Sequence, residues 1–454
     1  MEQNNDQGNV IQARLLQALT KGEHKVFRKM FLDMHFYDQA QFYLSLVPEQ
    51  RQQLYQILDP HEVGDFFDTI EDDLPEMREL LLEMDTRYAA SLLNSMFDDN
   101  AADILEHLPK DEVDSYLNLM NKADAIQLRK LLHYDTETAG GIMTTDFITL
   151  QAELTVGEAL TILKHEADEA ETIYYVYLVN SDQRLVGVIT LRDLIVTDDD
   201  TKLAAIMTPN VISASVHDEQ ADVAQKIRDY NFIALPVVDD QQKLVGIVTV
   251  DDVIEVIDDE AQADYSGLAG VDVEDVSDNP LKAASKRLPW LITLLFLGMS
   301  TATLINHYEG LLSEASILAV FISLITGTAG NAGTQSLAVA VRRLAFKGND
   351  KPKLVRLVVS EILTGLVTGL ITGLTVMLIV GFWKQNFTLG LTIGLAMTAA
   401  ITVANLAGSL IPMLMDKLGF DPAVASGPFI TTLSDLTSVL IYFSIAQIFI
   451  HAFM

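Results

Sequence analysis

Asp435 is the single acid in an otherwise apolar stretch, residues 428–453. At about 1.5 Å of helical rise per residue, such a stretch is long enough to cross a hydrocarbon core of about 30 Å. Pro428 suits a first helical turn and Ser426 a position just before it, which puts Asp435 about two turns inside a membrane helix. An ionised carboxylate at that depth costs about 2.5–3.5 kcal/mol, so it must face a water-filled path or a partner group. Two readings follow: a cation path past Asp435, or a structural acid bonded to a neighbouring helix.

A second polar oddity lies at Thr326-Gly327-Thr328-Ala329-Gly330-Asn331-Ala332-Gly333-Thr334-Gln335-Ser336, inside another apolar stretch. Small residues let membrane helices approach closely, which gives the glycines a packing reading. Asn331 and Gln335, one turn apart, need partners at that depth. Amides and small residues beside a lone carboxylate suit a narrow polar pore, where backbone is tolerated because it lines a cavity. Glu361 and Asn405 read as a snorkelling or loop-paired acid and a packing amide. A third group is soluble: Asp251, Asp252, Glu255, Asp258, Asp259, Glu260 and Asp264 along one predicted helix. Like charges at i, i+4 weaken a helix, so the pattern is costly unless cations neutralise it; a plainly solvated face is the competing explanation.

The elements that must position these groups divide near residue 280. The 454-residue chain has 63 acidic and 30 basic side chains; 7 and 11 of these follow residue 280, leaving 56 acids against 19 bases before it. A very acidic soluble part therefore precedes an apolar, mildly basic part. Such acidity excludes nucleic-acid binding and concentrates cations. With no cysteine, disulfides, thiolate metal sites and thiol nucleophiles are impossible. The polar, acidic start resembles no signal peptide, so the soluble part is expected in the cytoplasm.

Residues 1–22 read as a flexible lead and 23–136 as an all-α superhelical domain. Short helices there open at Val47-Pro48, Asp59-Pro60, Asp85, Asp98 and Leu108-Pro109, each followed by apolar residues at three-to-four spacing. Residues 137–257 hold a tandem α+β repeat, in which 185–195 (LVGVITLRDLI) matches 244–254 (LVGIVTVDDVI). Each copy predicts two strands and a helix started by Thr-x-x-Asp, so Thr190 and Thr249 are either helix caps or part of a ligand site. The acidic connecting helix occupies 258–280, beginning near 251. Five spans are predicted in 281–454, at about 288–306, 317–341, 354–382, 389–414 and 428–453. Basic residues cluster before the first (Lys282, Lys286, Arg287) and between the second and third (Arg342, Arg343, Lys347, Lys351, Lys353, Arg356). The positive-inside bias then puts the soluble part in the cytoplasm and the C-terminus outside.

The repeat resembles a pair of CBS domains, whose Gly-x-x-Thr-x-x-Asp segment can hold an adenosine ribose. The whole order, with Glu137-Thr138-Ala139-Gly140-Gly141-Ile142-Met143-Thr144, Gly330-Asn331-Ala332-Gly333-Thr334-Gln335 and Asp421-Pro422-Ala423 through Gly427-Pro428 to Asp435, resembles the MgtE family of magnesium channels. That resemblance implies a non-enzymatic, Mg²⁺-selective channel of the cell membrane. It implies a homodimer in lipid, with the pore on its two-fold axis between spans two and five. Asp435 would be the selectivity acid, with Gly330, Asn331, Gly333, Gln335, Gly427, Thr431 and Ser434 lining the path. The connecting helix would be a plug, closed by cytosolic Mg²⁺ at Asp252, Glu255, Asp259, Glu260, Asp264 and Glu219, with Asp98, Asp99 and Asp103 facing it from the N-terminal domain. Asn231 and Ala221 stand where the family has further acids. ATP, as a regulatory ligand, would fall on Tyr175, Thr190, Asp193 and Phe232. The nearest rival is a cation-coupled secondary transporter of divalent ions. No His-Glu-x-x-His occurs for a membrane metalloprotease.

Overall fold

The structure is a computed structural model that describes residues 2–70, 74–167, 170–271, 279–345, 354–418 and 427–453. The chain forms two compact units, Met1–Ile257 and Asp258–Met454.

The first unit opens with helices α1 (Glu2–Thr20), α2 (His24–Leu32), α3 (Phe36–Leu44), α4 (Pro48–Leu54), α5 (Pro60–Phe67), α6 (Leu74–Leu82), α7 (Thr86–Leu93), α8 (Asp98–Glu106), α9 (Lys110–Leu119) and α10 (Lys122–Leu131). Their starts obey local chemistry. Asp59 accepts from the amides of His61 and Glu62 while Glu62 reaches back to the Asp59 amide, a capping box with Pro60 in the first turn. The flexible lead expected at residues 1–22 is corrected: α1 buries Leu15, Ala18 and Leu19. These residues are three and four apart on one face, and that face joins a core with Phe27, Phe31 and Phe66. Arg51 and Arg78 pair in bidentate fashion with Glu83 and Glu112 across neighbouring helices.

The repeat then folds as expected, into β1 (Thr149–Gln151), α11 (Val156–Glu166), β2 (Tyr175–Val179), β3 (Leu185–Thr190), α12 (Leu191–Val196) and α13 (Leu203–Ile206). The second copy supplies β4 (Ala214–Ser215), α14 (Gln220–Tyr230), β5 (Ala234–Val238), β6 (Leu244–Thr249) and α15 (Val250–Ala269). The sheets have orders β1-β2-β3 and β4-β5-β6, each with one parallel and one antiparallel pairing in matching register. The second copy shares a continuous core with the helical domain, through Ala139, Met143, Val223, Leu235 and Val253. The two therefore form one unit, whereas the sequence divides them at 137.

Helix α15 is shorter than the connecting helix read from sequence: it ends at Ala269, and Gly270 takes a left-handed φ of 67°. Residues 272–278 of that expected helix lie outside the described residues. The second unit continues with α16 (Pro280–His307), α17 (Glu309–Glu314), a 3₁₀ turn (Ser316–Phe321), α18 (Ile322–Ala345), α19 (Leu354–Lys384), α20 (Phe387–Lys417) and α21 (Gly427–Phe453). Among the described residues, five segments are long and apolar enough to cross a membrane: Pro280–His307, Ser316–Leu344, Arg356–Lys384, Phe387–Met415 and Gly427–Ala452. Helix α20 is the central one, packed against α18, α19 and α21. Close approach there demands glycine. A Cβ on Gly408 would collide with the carbonyl oxygen of Gly333. The Asp421-Pro422-Ala423 motif, the Ser426 cap and the loop lysines at 347, 351 and 353 lie outside the described residues.

Candidate functional site

Three carboxylates meet within the first unit. Asp99, Glu171 and Asp252 each offer an oxygen, and these atoms lie within 4.8 Å of one another. Helix α8 supplies Asp99. Its N-cap is Phe97, so Asp98 and Asp99 sit inside the first turn rather than capping it. The amides of Phe97 and Asp98 are satisfied instead by Asp68 Oδ1 (3.2 Å) and Asp146 Oδ2 (2.9 Å). Asp252 stands in the first turn of α15, where Thr249 donates its hydroxyl to Asp252 Oδ2 at 2.5 Å. Glu171 comes from the turn between α11 and β2, held by its amide bond to Asp146 O at 3.0 Å.

Burial and mutual repulsion raise the proton affinity of all three. Asp99, 5% exposed, is pushed well above the usual carboxylate range by burial, then by Asp252 and Glu171. Burial and then Asp252 push Glu171 up to about 8, against hydrogen bonds from Thr249 and Thr144. Asp252 is raised by burial, with Thr249 opposing. Asp103, one turn along α8, is pushed up to about 7 by burial, then by Glu255 and Glu106. Hard oxygen donors this close repel one another unless a proton or a cation joins them, and the donor set suits a divalent ion such as Mg²⁺ or Ca²⁺.

The other soluble candidates separate from this cluster. Asp98 Oδ2 is occupied by Gln127 Nε2 at 2.9 Å and by the Thr145 hydroxyl. Glu255 is exposed, and its field reaches Asp103. Asp259, Glu260 and Asp264 carry the acidic face of α15 into the second unit. Glu219 is the exposed N-cap of α14, bridged through its backbone to Thr138. Thr190 and Asp193 form a capping box (Oγ1 to Oδ2, 2.6 Å), and Tyr175 pairs with Thr190 across the sheet, so these three share one sheet end. Phe232 lies in the second copy, stacked on Tyr230 at 5.4 Å. Sequence reasoning missed Glu171, Asp68 and Asp146. They sit in turns without periodicity, and only the fold brings them to α8.

In the second unit Asp435 lies half-buried two turns into α21. Around it α18 and α21 interlock. A Cβ on Gly330 would come within 3.1 Å of Thr431 Cγ2, and one on Gly333 within 3.0 Å of both Ile430 Cγ2 and Ser434 Oγ. Gly330, Gly333 and Ser434 are buried helix-contact positions within the protomer. Asn331 and Gln335 are exposed on the other side of α18, while Gly427 and Thr431 are half-buried. A groove of about 620 Å³ runs along Leu268, Thr334, Gly427, Thr431 and Thr432, from the end of α15 to the start of α21.

Five apolar helices, a lone carboxylate in the last and an acidic oxygen cluster in an attached soluble unit define a membrane protein that handles hard cations. The family described as a divalent cation transporter (MgtE) matches residues 322–445, the MgtE intracellular N domain matches 34–137, and CBS domains match 139–199 and 203–259. The chain is 63% identical to the magnesium transporter MgtE of Enterococcus faecalis over 97% of its own length and 98% of the relative's. It is 33% identical to that of Thermus thermophilus over 96% and 98%. Among solved structures it is similar to the soluble part of a magnesium transporter (51% identity, TM-score 0.55, covering 56% of this chain and 99% of that one). It is also similar to the cytosolic domain of the Mg²⁺ channel MgtE in complex with ATP (32%, TM-score 0.50, 54% and 99%). The chain belongs to the MgtE family, a transporter family and not one of enzymes.

Proposed function

We propose that this chain is a Mg²⁺-selective channel that takes magnesium into the cell and closes when cytosolic Mg²⁺ binds its acidic soluble unit. The observation that carries the reading is Asp435, the acid two turns inside α21, at the level where α18 and α21 interlock. Mg²⁺ sheds water reluctantly and prefers octahedral oxygen at about 2.0–2.1 Å. One carboxylate per subunit, paired with its symmetry mate in a homodimer, holds such an ion through its hydration shell; Asn331, Gln335, Gly427 and Thr431 supply the polar wall. The soluble unit and N-terminus face the cytoplasm, and the C-terminus faces outside.

Closure follows from linkage. Without a cation, Asp99, Glu171 and Asp252 repel. A Mg²⁺ ion among them, with Asp103 and Glu255 adding field, favours the arrangement that holds them together, and only that differential affinity shifts the population. Asp259, Glu260 and Asp264 extend the same sensing along α15, with Glu219 and Asp98 as outlying acids. ATP binds at the sheet end formed by Tyr175, Thr190 and Asp193, with Phe232 toward the base. The likeness to an ATP-bound MgtE cytosolic domain supports this. Current through Asp435→Asn, measured beside wild type with cytosolic-side Mg²⁺ varied, tests both parts. Loss of Mg²⁺ current in the variant, and wild-type closure by millimolar-range Mg²⁺, are expected. Normal conduction with unchanged selectivity would make Asp435 structural. Flux that depends on a proton or Na⁺ gradient would favour a coupled transporter instead.

A further inference from the structure

Besides Asp435, Glu361 is the acid that lies within a span among the described residues, and it is nine-tenths buried at 7% exposure. A buried carboxylate among apolar helices persists only where its oxygens are satisfied. On α19, Glu361 accepts from the Ser336 hydroxyl through Oε2 (3.1 Å) and from Arg343 Nη1 through Oε1 (3.2 Å), both groups belonging to α18. Ser336 also lies 2.9 Å from the Asn405 carbonyl of α20. One carboxylate thus grips α18 at two points seven residues apart, which is two turns along the same face.

Two anchors on one face fix a helix against rotation. Asn331 and Gln335 stand five and one residues before Ser336, about 100–140° around the helix from the anchored face, and both are exposed. We propose that Glu361 is a positioning residue of the conduction path: through Ser336 and Arg343 it sets the rotation of α18, and with it the direction in which Asn331 and Gln335 present their amides to the ion. The inference rests on the reading of α18 as pore wall given above.

The test measures the Mg²⁺ to Na⁺ permeability ratio in reconstituted full-length protein for wild type, Glu361→Gln, Arg343→Gln, the double variant, Ser336→Ala and Asp435→Asn. A residue that only holds the bundle together changes yield and thermal stability, not a permeability ratio. Glu361→Gln is expected to assemble, because Ser336 keeps the Asn405 carbonyl and the half-exposed Arg343 can turn to water. Its ratio should fall by about threefold or more, the scale on which residues without ligand contact alter coupling. Arg343→Gln should act in the same direction, with the double variant no worse than Glu361→Gln alone. An unchanged ratio in Glu361→Gln, or independent additive effects, overturns the proposal. Should Glu361→Gln fail to assemble, Ser336→Ala, which strands no charge, decides: a shifted ratio supports the proposal and an unchanged one overturns it. If Asp435→Asn also leaves the ratio unchanged, the pore reading falls and this inference with it; if Asp435→Asn shifts the ratio while Glu361→Gln and Ser336→Ala do not, only the positioning role falls.

Discussion

Glu171 shows how much one side chain can depend on its company. Its carboxylate is held beside Asp99 and Asp252 although burial and charge both oppose ionisation there. Glu171→Gln removes a repelling charge and a candidate oxygen ligand together, so its two effects oppose. In metal-free buffer at pH 8.5, where Glu171 is ionised in the folded state, the variant should be the more stable protein, by about 1 kcal/mol or more, since an unpaired buried charge is lost. Its response to Mg²⁺ should weaken by about tenfold, as expected when ligand charge is removed from a hard-cation site. Mg²⁺ titrations followed by protease protection of the full-length protein would read both effects; a variant less stable without metal and equally responsive with it would remove Glu171 from the site. Asp252 stood out in the sequence as one acid of an acid-rich helix, and Asp99 entered only through the resemblance to the MgtE family. Glu171 was not legible, because its turn becomes relevant only after β2 and α15 have folded. Thr190 does cap α12, its hydroxyl accepting from the Asp193 amide, while Thr249 donates its hydroxyl to the Asp252 carboxylate; a ligand role for either is a matter for a nucleotide-binding test.

Among elements, the five spans, the tandem strands and most helix starts were legible because each has a signature: apolar length, the match of 185–195 to 244–254, or Asp and Pro at the first turn. Helix α1 was missed for a physical reason. Its first turns are polar, and Val10 and Ile11 remain exposed, so the buried stripe is only Leu15, Ala18 and Leu19. Leu15 is fully buried in the core of the first unit, and Leu15→Ala should cost about 2–5 kcal/mol. Chemical denaturation of the soluble unit checks this, and a loss below about 1 kcal/mol would mean that α1 is only loosely attached. In α18 the glycines carried two readings that spacing cannot separate. Gly330 and Gly333 each lie against a neighbouring helix, whereas the neighbouring amides face outward. The same logic makes Gly408→Ala a severe change, because its new Cβ meets backbone, which has no rotamer with which to yield. Its melting temperature in detergent should drop well below that of Gly298→Ala, whose added Cβ meets nothing within 4 Å.

At the scale of the whole molecule, 56 acids against 19 bases before residue 280 make the soluble part respond to protons and to Mg²⁺ through the same groups. Glu171 is pushed up to about 8, Asp103 and Asp68 to about 7 and Asp146 to about 6, with burial the first cause for each. Between about pH 4, where these acids titrate in the unfolded chain, and about pH 8, the folded state binds more protons. Stability is therefore fully present below pH 4 as far as these groups are concerned, and it is lost as pH rises through 6 to 8. A cation substitutes for the missing protons, so Mg²⁺ should stabilise strongly at pH 8.5 and little at pH 5.5, with protons released on binding in between. Hydrogen exchange of the full-length protein, followed at α8 and at the first turns of α15, separates this from a general effect of charge. Protection there should fall from pH 5.5 to 8.5 without metal, after correction for intrinsic exchange, and return with Mg²⁺ but not with equal ionic strength of NaCl. Equal recovery in NaCl would assign the effect to screening of the acidic surface, because screening needs no particular site whereas three converging carboxylates discriminate by charge and size.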